Sequence, residues 1–198
     1  MTTAADHRVS LTPRAAEIAK VARDLLETDG LAALSMRNIA GKLGIRAASL
    51  YEHFADKRAV ENAIMAAGMW EQGDFIAAGV AAGKGPKVFT IAQAFRDFAL
   101  EHPELYRLIM SRDLDRDAPD VAAAELYAGV CIREEVGEFR EVSLALWSYA
   151  HGMADLELNH RYPPGFDVDA VWQTGLVALH DRLLQLRAGT ATPLPSKD

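Results

Sequence analysis

Apolar positions recur along this chain every three or four residues, the spacing of one face of an α-helix. Runs that alternate apolar and polar residues between turn signals, the mark of half-buried strands, are nearly absent. The pattern predicts an all-α protein. Ile18, Val21, Leu25 and Leu26 share the inner face of a first helix, which Thr12 can cap, Pro13 can open and Asp29-Gly30 stops. Ser35 opens a short second helix through Ile39, Ala40 and Leu43, ended by Gly44. A third runs from about Ala47 to Phe54. Asp56 caps a long helix from Lys57 to about residue 80, buried through Val60, Ile64, Met69 and Phe75, and broken by Gly79, Gly83, Gly85 and Pro86. Five more follow: 87–101, one opened by Pro103, then 119–135, 139–159 and 168–187. The charged stretch 111–118 reads as a loop, Tyr162-Pro163-Pro164-Gly165 parts the last two helices, and the tail from Gly189 reads as flexible.

Residues 35–57 are two short helices about a tight Gly-containing turn, the geometry of a helix-turn-helix. Leu34, Ile39, Leu43, Leu50 and Phe54 can seat the pair on the first helix. The outer face then holds Arg46, Ala47, Ser49, Tyr51 and His53, with Glu52 as its acid, and such a face fits a major groove. Charge agrees in sign. Residues 1–58 carry nine Lys/Arg against seven Asp/Glu, a net of +2, whereas the remainder carries a net of −9. A mildly basic head on an acidic body implies that the head alone faces phosphate.

The run Gly44-Ile-Arg-Ala-Ala-Ser-Leu-Tyr-Glu-His-Phe-Ala-Asp-Lys57, preceded by Ser35-Met-Arg-Asn-Ile-Ala-Gly-Lys-Leu43, closely resembles the DNA-binding segment of TetR-family regulators, over about residues 12–60. The resemblance implies an N-terminal three-helix DNA-binding domain (1–58), a C-terminal helical bundle for ligand binding and dimerisation (59–188), and a tail (189–198). It places Arg46, Ala47 and Ala48 where base-reading side chains project. Arg46 suits guanine, with a phosphate contact as the alternative, and the alanines suit a thymine methyl. It casts Ser49, Tyr51, His53 and Lys57 as phosphate clamps, Lys57 aided by a helix N-terminus, with Ser35 and Arg37 touching the backbone from the other helix. Packing of the three-helix unit is the alternative role for Tyr51 and His53.

The resemblance also implies a homodimer built from the last two helices, and the final one is generously apolar: Val168, Val171, Trp172, Leu176, Leu179, Leu183 and Leu186, with Gly175 as a point of close approach. Packing within the subunit accounts for part of that surface. Trp147-Ser-Tyr-Ala-His151-Gly is similar to a W-x-x-x-H-G run in some TetR-family C-terminal domains. Phe95, Phe98, Tyr106, Met110, Tyr127, Trp147 and His151 are candidates to line an effector cavity, or else to fill a core.

The single cysteine, Cys131, allows no intrachain disulfide and no Cys-rich zinc site; it reads as buried and inert. No signal peptide or membrane-spanning run is expected, so the protein is expected in the cytoplasm. His151, Asp155, Glu157 and His160 do not share one helix face, so no metal is expected. No cofactor is expected, and no nucleophile–base motif points to an enzyme. The expected function is a regulator, a repressor by default with activation left open, that binds a palindromic operator as a homodimer and is released by a small hydrophobic effector. A regulator without an effector is the alternative.

Overall fold

A computed structural model describes Arg8 and residues 11–192, and every regular element among them is helical. In chain order these are α1 (Pro13–Asp29), a 3-10 turn (Leu31–Ala33), α2 (Met36–Leu43), α3 (Ala47–Leu50), α4 (Lys57–Ala82), α5 (Lys87–Glu101), α6 (Pro103–Ser111), α7 (Pro119–Ala128), α8 (Val130–Val136), α9 (Arg140–Leu158) and α10 (Val168–Arg187).

Local chemistry sets the boundaries. The Thr12 hydroxyl accepts from the Ala15 N–H at 3.3 Å, Ser35 from Asn38 at 3.2 Å, and the Asp56 carboxylate from Ala59 at 2.8 Å. Each satisfies an amide that the first turn of a helix leaves open. Three expectations are corrected. Helix α3 is regular only through Leu50, and its end is a tight turn in which the Leu50 carbonyl accepts from both His53 and Phe54. Gly79 does not break α4, which continues to Ala82. The single helix expected over 119–135 divides at Gly129 into α7 and α8, so six helices follow α4 among the described residues.

Packing groups the described residues into two compact units, those up to 75 with 98–129, and 76–97 with those from 130 onward. The core of the first includes Ile18, Leu26, Leu34, Ile39, Leu50, Met65, Phe98 and Leu105, all essentially without solvent contact. Each such side chain contributes roughly 1.5–3 kcal/mol of apolar transfer. The core of the second includes Val88, Ile91, Leu146, Met153, Trp172 and Leu183. No helix among the described residues is long and apolar enough to cross a membrane. The expectation of no signal peptide falls on residues 1–10, of which only Arg8 is described, and residues 193–198 of the expected tail lie outside the described residues.

Candidate nucleic-acid interface and body residues

The reader is built by α1, α2 and α3, with α2 packed against both of the others. Met36, Ile39 and Ala40 turn inward from α2, and Leu50 and Phe54 fill the space beneath α3. Gly44 closes the turn at φ 67° and ψ 28°, with its N–H donating to Gly41 and that of Ile45 to Ala40. A side chain in that left-handed conformation costs about 1 kcal/mol or more, which is why glycine stands there.

This arrangement leaves Arg37, Arg46, Ala48, Tyr51 and His53 exposed, Tyr51 at 55%. Among the described residues neither Arg37 nor Arg46 has an ion-pair partner. Arg46 immediately precedes α3 with extended backbone, and its carbonyl accepts from the Ser49 N–H at 3.0 Å. Ser35, Ala47, Ser49 and Lys57 are half-buried. Ala47 leans on the core, so its methyl serves packing as well as any outward contact. The Ser35 oxygen is engaged as a cap, yet its O–H remains able to donate outward.

Lys57 is committed more deeply than its sequence position suggests. Its ammonium lies 3.3 Å from Oε1 of Glu61, a carboxylate 4% exposed that also faces Arg112 at 3.2 Å. Glu61 was not anticipated, although its i,i+4 spacing from Lys57 is a readable signal. Lys42, in the last turn of α2, is a further exposed cation on this unit, outside the residues that the family pattern marks.

The seven candidate effector residues fall into two groups, one in each unit. In the second unit the His151 ring packs 4.5 Å from Trp147 and 4.6 Å from Phe95. Burial pushes the His151 imidazole down to about 4, because a charged ring there loses its hydration. Trp147 remains half exposed. In the first unit Phe98 is fully buried, edge-on to Phe75 at 5.7 Å, and Tyr106 is buried. Met110 is exposed, and Tyr127 stacks 4.5 Å from Trp70. An open cleft of about 420 Å³ in this unit has Trp70, Glu71, Asp74 and Asp120 among its walls. None of the seven candidates lines it.

Three of the seven expected interface residues of α10 are buried within their own subunit. Trp172, Leu176 and Leu183 are buried, and Val168, Val171, Gly175 and Leu179 are half-buried. The Trp172 indole N–H donates to Glu157 at 3.1 Å, in a network where Arg96 grips Glu157 at 2.7 Å and Asp169 at 2.6 Å. Tyr149 lies against Gly175, and its hydroxyl donates to the Val171 carbonyl at 2.8 Å. The large apolar groups left outward are Val177 and Leu184 on α10, and Leu144, Trp147 and Leu156 on α9. With Ser148 and Gly152, the two α9 leucines form one exposed stripe at four-residue intervals.

Cys131 is half-buried rather than enclosed, and burial raises its thiol pKa, which favours the unreactive thiol. Among the described residues no three His, Cys, Asp or Glu side chains converge as a metal site.

Residues 18–64 match the family described as bacterial regulatory proteins, tetR family, and residues 88–179 match the tetracyclin repressor-like C-terminal domain. An uncharacterized HTH-type transcriptional regulator of Bacillus subtilis (strain 168), YobS, is 26% identical over 110 residues, 55% of this chain and 56% of that protein. The match thus spans little more than half the length of that relative. A protein of unknown function from Rhodococcus sp. RHA1 superposes with a TM-score of 0.71 at 23% identity, covering 87% of this chain and 95% of that one. The TetR family protein ActR of Streptomyces coelicolor, in complex with actinorhodin, gives 0.62 at 20% identity over 93% and 100% of the two chains. At these identities the two structures show a shared fold.

Proposed function

Because this chain belongs to the TetR family of bacterial regulatory proteins, we propose that it acts in the cytoplasm as a homodimeric repressor of transcription, binding a palindromic operator and released by a small effector. The observation that carries the reading is the outward face of the helix-turn-helix. Arg46 has no ion-pair partner among the described residues and stands at the start of α3, with Ala48, Tyr51 and His53 exposed beside it. Residues 1–58 are the reader in this proposal, with Arg46 on a base edge and Ser35, Arg37, Ser49, Tyr51, His53 and Lys57 on phosphates.

One such reader covers little DNA, so specific affinity calls for two on successive half-sites. The exposed stripe of α9 and the Val177–Leu184 face of α10 supply a self-complementary apolar surface for a two-fold dimer. Residues 59–188 hold the effector and the dimer contacts. The complex of ActR with actinorhodin supports an effector reading for a body of this fold. An effector that binds one arrangement of the paired readers more tightly shifts the population away from the DNA-competent one.

Selection of bound fragments from sheared genomic DNA, at physiological salt with competitor, tests the proposal. A short palindrome is the expected product. A folded dimer that enriches no sequence sinks it. If an operator is found but no small molecule alters its affinity, the protein is a regulator without an effector.

A further inference from the structure

The cleft beside α4 in the first unit holds chemistry that DNA binding does not use. Its volume of about 420 Å³ falls in the range of small-molecule sites. Leu11 and the alanines of α4 make its apolar wall, and its polar groups are Arg8, Glu71, Asp74 and Asp120.

Arg8 sits there as a bound cation would. Its Nη2 is 2.6 Å from Asp74 Oδ2, and its Cζ lies 4.9 Å from the Trp70 ring centroid and 6.0 Å from that of Tyr127. The receptor is oriented by its own contacts. The Tyr127 hydroxyl donates to Asp74 Oδ1 at 2.7 Å, which leaves the other carboxylate oxygen for a cation. Tyr127 can lie this close because Gly73 has no side chain; a Cβ there would overlap the ring. The Tyr127 hydrogen bond, joined by Arg8, holds the Asp74 carboxyl below the usual carboxylate range against the opposing effect of burial.

The internal occupant is weakly held. Both side chains of the Arg8–Asp74 pair are about half exposed, 47% and 51%, and such pairs contribute about 0–1 kcal/mol. The cleft also has acid to spare. Glu71 is engaged by Arg23 at 2.9 Å, but Asp120 has no ion-pair partner among the described residues. The Trp70 face, an Asp74 carboxylate oriented by Tyr127 and a second carboxylate, Asp120, at the start of α7 select a cation with some apolar surface.

We propose that this cleft binds an organic cation, a guanidinium or alkylammonium on a short apolar stem, and that Arg8 is its internal competitor. The proposal deepens the effector reading, on which its consequence for DNA rests; the binding itself does not depend on that reading.

Agmatine, a guanidinium and an amine on a four-carbon stem, is the probe. It is titrated into the full-length protein at constant ionic strength, with calorimetry and tryptophan fluorescence as readouts. Saturable binding is expected, one per protomer. Arg8→Ala should tighten it up to about fivefold, and Asp74→Asn and Asp120→Asn should each weaken it about tenfold. Butyrate, matched in stem but anionic, should not bind. Melting curves establish that each variant is folded. If folded Arg8→Ala binds agmatine no more tightly than Asp74→Asn, or shows no saturation at millimolar concentration, the proposal is overturned. Operator affinity measured in the same samples separates the two readings: saturation with unchanged DNA binding supports the site and removes its regulatory consequence.

Discussion

The Lys57 ammonium lies 3.3 Å from Oε1 of Glu61, a carboxylate that is 4% exposed at the start of α4. The pair gives Lys57 two roles that substitution can separate. If it also reaches a phosphate, Lys57→Ala lowers the salt slope of operator binding by about one unit. Glu61→Gln leaves the slope unchanged and lowers stability by about 1 kcal/mol, since Arg112 and Lys57 lose their shared partner but stay partly hydrated. Filter binding at several salt concentrations, with thermal melts beside it, checks both. A Lys57→Ala slope equal to wild type would leave Lys57 with a structural role alone.

Arg46 is the exposed long donor at the opening of α3, and its backbone is already in a cap conformation. Arg46→Ala should therefore leave the melting temperature unchanged, cost about 1–3 kcal/mol of operator binding and relax the preference at one base position. Binding-site selection with the variant reads the last effect. Uniform weakening with no loss of base preference would reassign Arg46 to a phosphate.

Much of the head is legible because its determinants are local. Thr12, Ser35 and Asp56 cap helices a few residues away, and Gly44 turns the chain where it stands. The body is less so, since helical spacing says that a face is buried without saying against what. Trp172, Leu176 and Leu183 look like an interface in sequence, yet they turn into their own subunit, while Val177 and Leu184 are left outside. Arg8 offers no sequence signal at all, because the carboxylate that receives it stands 66 residues away. The break at Gly129 is hidden in the sequence because apolar spacing carries through it from Val121 to Val136.

The same distinction makes a pair of contrasting variants. Leu184, 46% exposed, can take a charge without disturbing the monomer's core, so Leu184→Glu should yield a folded monomer at micromolar concentration by sedimentation. Leu176, 3% exposed, cannot, and Leu176→Glu should unfold the second unit. A Leu184→Glu variant that stays dimeric would move the interface away from this face of α10.

His151 ties stability to pH. Its imidazole is pushed down to about 4 by burial against Phe95 and Trp147, below the ordinary 6.5, so folding favours the neutral ring. In the unfolded chain the ring takes up a proton first as pH falls. The contribution is therefore complete above pH 6.5 and is lost as pH drops from there through 4, by roughly 3 kcal/mol in all. His151→Phe keeps an aromatic ring in the same place and has no proton to gain. The stability difference between wild type and His151→Phe, from urea titrations at pH 7.5 and pH 4.5, should shift toward the variant at the lower pH by most of that amount. Equal differences at the two pH values would mean that the ring is hydrated enough to charge within the fold, and that the cluster with Trp147 opens in solution.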